Sequence, residues 1–158
     1  MSRLSIVFVA GVLAAVVPIA PSRADTATLT SSYQAQGTWW EVSEGRTYWS
    51  GTFWVFSFNE AGKGFGHQMA WNCPATGVVA DGIAHFKGFC VETDTDGDKL
   101  FSSWEAEAPV DEALTGHEIY EGGTGKYAGV TGEHDFACYA VGSNEQGYCR
   151  QQVTYTLP

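Results

Sequence analysis

From position 33 onward the chain breaks into short runs rich in Thr, Val, Tyr, Phe and Trp, separated by Gly, Asn and Asp, and almost no run repeats with a helical period. Runs of this kind read as strands. They fall at 33–42, 46–58, 63–72, 82–94, 98–106, 115–121, 127–140 and 147–156. Eight strands are what a small antiparallel barrel needs to close around an interior that is filled by side chains or holds one ligand. The one candidate for a helical turn is Pro109 to Leu114. The expected fold is therefore all-β, a single eight-stranded antiparallel β-barrel over residues 25–158.

Residues 1–24 read differently. Arg3 precedes an apolar run from Ile6 to Ala20, and Ser22-Arg23-Ala24 puts small residues where a signal peptidase cuts. This is the pattern of a secretory signal peptide. The run contains Pro18 and is shorter than the roughly 20 apolar residues of a membrane span, so a secreted or periplasmic protein without stable membrane insertion is expected. Residues 25–158 carry 6 basic and 18 acidic side chains, a net charge of −12. That balance argues against nucleic acid or an anionic membrane as partner.

All four cysteines, Cys73, Cys90, Cys138 and Cys149, lie beyond the leader, and an exported chain meets the oxidising conditions in which disulfides persist. Two disulfides are expected, with three connectivities open. Cys138 and Cys149 flank the turn-rich segment Gly142–Gly147 and can face each other across a hairpin, which favours 138–149 with 73–90. Closely spaced ligand pairs of the C-x-x-C type are absent, so no metal site is expected at the cysteines.

The sharpest turn signal is Asp96-Gly97, whose residues suit a two-residue type I′ hairpin. Its acidic neighbours suggest calcium, but Gly97 falls in the wrong place for an EF-hand loop and no helix flanks it. A two-residue turn there would set Val91 opposite Ser102 and Phe89 opposite Trp104. One face would then read His85, Lys87, Phe89 and Val91 with Leu100, Ser102 and Trp104. This more apolar face is the expected barrel interior; a one-residue slip would exchange the faces.

Aromatics stand on both faces of the strand from Tyr48 to Phe58, where a half-exposed strand would alternate apolar with polar. Either one face lies in the core and the other in an oligomer interface, or rings line a ligand cavity. Trp54, Phe56, Phe89 and Trp104 are the expected ligand-contacting rings. For proton transfer the candidates are His67 and His85, on strands expected to be adjacent, with Tyr48 and Glu105. Histidine titrates near neutral pH, and a carboxylate such as Glu60, Glu105 or Glu118 inside an aromatic cavity would have a raised pKa. His134, in the polar stretch Gly132–Asp135, is expected at the surface. No G-x-S-x-G nucleophile elbow is present.

The run Glu121-Gly122-Gly123-Thr124-Gly125-Lys126-Tyr127 ends in Gly-Lys but lacks the spacing and the following Ser or Thr of a phosphate loop. It resembles the GGTGK-aromatic motif of dirigent proteins and, more loosely, the Gly-rich turn of allene oxide cyclases and the secreted bacterial proteins similar to them. The resemblance covers about a dozen residues, and Ala128 stands where dirigent proteins commonly carry a basic residue. It implies an eight-stranded barrel around an apolar cavity for a small aromatic or unsaturated molecule, no organic cofactor, and assembly as a homotrimer. Gly122 to Lys126 carry over only as the turn, glycine for positive φ and Lys126 for solvation. The activity implied is that of a cofactor-free cyclase, isomerase or lyase. The alternatives are a lipocalin-like protein that binds a small hydrophobic molecule unchanged, and a structural protein whose exposed rings meet a partner.

Overall fold

The computed structural model describes residues 23–158, so the expected leader lies almost wholly outside the described residues. Eight strands follow in order: β1 (Asp25–Ser43), β2 (Arg46–Asn59), β3 (Met69–Ala80), β4 (Ile83–Thr93), β5 (Lys99–Pro109), β6 (Leu114–Gly123), β7 (Thr131–Val141) and β8 (Ser143–Thr156). Each pairs antiparallel with its sequence neighbours and β1 closes on β8, so the sheet is a barrel without an edge. Closure satisfies every strand's hydrogen bonds without exposing an edge to other chains. Among the described residues no helix is long and apolar enough to cross a membrane.

Several boundaries depart from the sequence expectation: β3 runs on to Ala80 and not to 72, β5 to Pro109 and not to 106, and β8 begins at Ser143 and not at 147, and three strands begin elsewhere for a visible reason. β1 begins at Asp25, well before 33, because its first residues alternate Thr with the inward Ala27 and Leu29. β3 begins at Met69, since residues 60–68 form a loop in which Gly66, at φ 72°, packs so closely on Leu29 that a side chain there would collide. β7 begins at Thr131, because Gly125–Tyr127 form a single 3-10 turn that sends Tyr127 into the core. Pro109–Leu114 is a tight turn, closed by a hydrogen bond from the Glu112 amide to the Pro109 carbonyl, and makes no helix.

The β4–β5 register also differs, by one residue. Asp94 accepts hydrogen bonds from the amides of Asp96 and Asp98, and the Gly97 amide donates to the Asp94 carbonyl. This side-chain-braced turn makes the connection Asp94–Asp98, so Cys90 pairs with Ser102 and Val91 with Phe101. The interior face of β5 stays as expected, with Leu100, Ser102 and Trp104. On β4 the faces exchange: Phe86, Gly88, Cys90 and Glu92 point inward, while His85, Lys87, Phe89 and Val91 point out. Lys126 reaches the same turn and is paired with both Asp94 and Asp96; it braces the acidic loop instead of merely meeting solvent.

The barrel has unlike ends. At the end of the β2–β3, β4–β5 and β6–β7 connections, Leu29, Phe65, Met69, Leu100, Tyr127 and Val153 form a packed core. Phe65, from the β2–β3 loop, lies inside it, stacked 3.8 Å from the Tyr155 ring. Burial of each such side chain stabilises the fold by about 1.5–3 kcal/mol. The other end stays open. Cys73–Cys90 links β3 to β4 and Cys138–Cys149 links β7 to β8, the pairing the hairpin argument favoured.

Candidate functional site

The open half of the barrel holds a cavity of about 410 Å³. Its wall is a connected set of rings: Trp49 stands 5.1 Å from Phe53 and 5.7 Å from Phe86, and Trp104 lies 5.7 Å from Phe53 and 6.2 Å from Phe136. Room for them comes from small inward positions. At Gly77 the Phe86 ring occupies the space a side chain would need. Both disulfides also face the cavity.

At the floor, between the cavity and the packed end, four strands deliver polar side chains inward: Glu92 from β4, Ser102 from β5, Glu118 from β6 and His134 from β7. Glu92 is 1% exposed, Glu118 2% and His134 4%. Ser102 Oγ lies 3.2 Å from a Glu92 oxygen and 2.5 Å from a Glu118 oxygen, so it touches both carboxyl groups. His134 Nε2 is 3.3 Å from Glu118 Oε2, at ion-pair distance without the alignment of a hydrogen bond. Of these four, Glu118 lines the cavity.

Burial pushes the Glu92 carboxyl well up, the Glu118 charge adds to the rise, and the Ser102 hydroxyl only partly opposes it. Two carboxyl groups this close and this dry do not both ionise. Burial, followed by the Glu92 and Glu118 charges, likewise raises the neighbouring Tyr120 phenol. The arrangement therefore keeps a proton within reach of a carboxylate that faces an aromatic cavity, which is what general acid–base chemistry on a bound molecule needs.

A pterocarpan synthase dirigent protein of known structure superposes on this chain with a TM-score of 0.54 over 89% of each chain, at 9% sequence identity. The fold is that of a dirigent-like barrel. No family pattern and no curated protein matches the sequence.

Within this dirigent-like barrel the expected site residues separate. Trp104 lines the cavity, while Trp54, Phe56 and Phe89 lie on the outer face, Phe89 being 63% exposed. His85 is on the outside in an exposed pair with Glu107 at 3.1 Å, and Glu105 is exposed beside it, both because of the one-residue register shift and β5 parity. Tyr48 faces outward against Trp40, ring centres 5.8 Å apart. His67 belongs to the β2–β3 loop, not to β3, and meets the Phe58 ring edge-on at 6.0 Å. None of these four lines the cavity; the buried ionisable side chain that does is Glu118.

His134 and Glu92 were missed. His134 lies between Glu133 and Asp135, and that local polarity conceals its inward parity. Glu92 was assigned to the wrong face of β4. One signal could have found it: Glu92 shares parity with Cys90, and a Cys73–Cys90 bridge facing inward carries Glu92 inward too.

Proposed function

We propose that this dirigent-like barrel is an exported, cofactor-free cyclase, isomerase or lyase acting on a small aromatic or unsaturated molecule held among Trp49, Phe53, Phe86 and Trp104. Glu118 exchanges a proton with the bound molecule, and Glu92, linked through Ser102, supplies or stores that proton. Such reactions are redox-neutral: a proton leaves one atom of the substrate and returns to another, or to a departing oxygen, with no electron acceptor. The observation that carries this reading is the buried Glu118–Ser102–Glu92 set opening on an aromatic cavity.

Residues 25–158 are the mature protein in this reading, and the two disulfides fit an oxidising compartment. Its partner besides the ligand is further copies of itself, as a homotrimer. The uncharged outer face that runs from Trp54 and Phe56 on β2 to Val91 and Phe89 on β4 supports that assembly.

The test is native mass spectrometry of protein purified from its own host, followed by release and identification of the bound molecule. That molecule is then incubated with the protein and with a Glu118→Gln variant. Conversion by the first and not the second supports catalysis at Glu118. Recovery of the molecule unchanged from both replaces the enzyme with a lipocalin-like carrier.

A further inference from the structure

The charge around the cavity is one-sided. Four carboxylates line it, Asp111, Glu112 and Glu145 toward the mouth and Glu118 at the floor, and among the described residues no lysine, arginine or histidine does. Rings make up much of the wall, and the faces of aromatic π systems attract cations. Gln151 and Ser31 also line the floor, 5% and 1% exposed, and Gln151 Oε1 and Ser31 Oγ have no hydrogen-bond partner. Both atoms are closed off from the cavity space, so a ligand meets them only once the Gln151 or Ser31 side chain turns; a group that then reaches Gln151 Oε1 must donate a hydrogen, since an amide oxygen only accepts.

These three features select for the same chemistry. An anion would meet like charge from the mouth to the floor. A pure hydrocarbon would fill the aromatic wall and leave Gln151 Oε1 and Ser31 Oγ unpartnered. A protonated amine on an apolar body answers all of them, because its ammonium donates hydrogens, carries positive charge and sits well against ring faces.

We infer that the occupant of the cavity is an organic cation, a protonated amine with an aromatic or aliphatic body, its ammonium group directed to Glu118 and Gln151 and its body held by the rings. This rests on the cavity being the ligand site, as proposed above, and narrows the class of ligand. Ser102 and His134 meet the two Glu118 oxygens, and of the buried set Glu118 alone lines the cavity, so a cation there approaches a carboxyl group that is already held in place. The three carboxylates at the mouth, on a chain of net charge −12 beyond the leader, raise the local concentration of cations and hasten their entry.

Three probes with one carbon skeleton test this: para-tert-butylbenzylamine, para-tert-butylbenzyl alcohol and para-tert-butylbenzoate, which are cation, neutral molecule and anion at neutral pH. Binding to the purified protein is followed through the fluorescence of the cavity tryptophans. The amine is expected to bind about tenfold more tightly than the alcohol, with the benzoate weakest. Glu118→Gln should remove the preference for the amine and leave alcohol binding in place. A second variant at the mouth, Asp111→Asn with Glu112→Gln and Glu145→Gln, should slow association of the amine and not of the alcohol. An alcohol that binds as tightly as the amine, or a preference untouched by both variants, overturns the cation inference and leaves the cavity as a ligand site. No binding by any of the three overturns both.

Discussion

Lys126 Nζ stands 2.6 Å from Oδ2 of Asp94, whose side chain is only 4% exposed. The contact joins the Gly-rich turn after β6 to the loop between β4 and β5, two connections that are distant in sequence and adjacent at the closed end. Burial alone would raise the Asp94 carboxyl, but the Lys126 ammonium and the amides of Asp96 and Asp98 more than offset it and hold the group below its usual range.

Replacing this lysine with an apolar residue leaves a buried carboxylate without its cation. Lys126→Met should cost about 1–2 kcal/mol, less than a fully buried pair because the ammonium is half-exposed. The measurement is the urea midpoint at several pH values. A depressed carboxyl stabilises the fold above its unfolded pKa of about 3.9 and loses that contribution as the pH falls through the lower folded value. The gap between native protein and variant should therefore narrow in acid; a gap that is constant with pH would separate the stability loss from Asp94.

Glu92 has the opposite sign. An unfolded glutamate titrates near about 4.3, and the folded chain holds the Glu92 proton to higher pH. The stability linked to that proton is fully present below the unfolded value and drains away as the pH rises toward the folded one. Glu92→Gln keeps the shape, can still hydrogen-bond Ser102 as donor or acceptor and carries no charge at any pH. Its stability should fall less steeply over that interval than the native protein's, by denaturant titration; an identical slope would mean that Glu92 is not the group responsible.

Removing the carboxylate that faces the cavity should stop proton transfer. With the host's ligand identified, Glu118→Gln is expected to lower kcat by about a hundredfold or more, a loss well beyond the about tenfold weaker binding expected of a cationic ligand. Glu105→Gln and His85→Ala, on the outer wall, should leave kcat as it was. A large loss in either outer variant would move the chemistry off the cavity floor.

The outer rings make a separate prediction. Trp54→Glu together with Phe89→Glu places charge in the middle of the uncharged face between β2 and β4 and should convert a trimer to a monomer, read by light scattering on a size-exclusion column. Its circular dichroism should match the native protein's, since neither side chain enters the core. A native protein that already has the mass of one chain would refute the trimer.

The barrel was legible in the sequence because strand number, turn residues and alternation each act locally. The cavity floor was not, because it depends on register. Whether Glu92 faces solvent or the interior turns on the length of one loop, and that length is decided by Asp94, whose carboxylate captures two amides and whose charge is met by Lys126 from another connection. Nothing near Asp96-Gly97 announces that distant partner. The aromatic strand from Tyr48 to Phe58 shows the same limit: alternation puts Trp49 and Phe53 at the cavity and Trp54 and Phe56 outside, and ring content alone did not say which. His134 was hidden for the simplest reason, since a polar neighbourhood in sequence says little about the interior it faces.

Phe65 and its neighbours plug one end of the barrel, which makes the interior a blind tube. A molecule that enters must leave by the way it came. Under the proposed reaction a product lodged among the rings would bar the next substrate, so emptying would pace the cycle as much as chemistry, and whatever tightened the hold on the product would slow it.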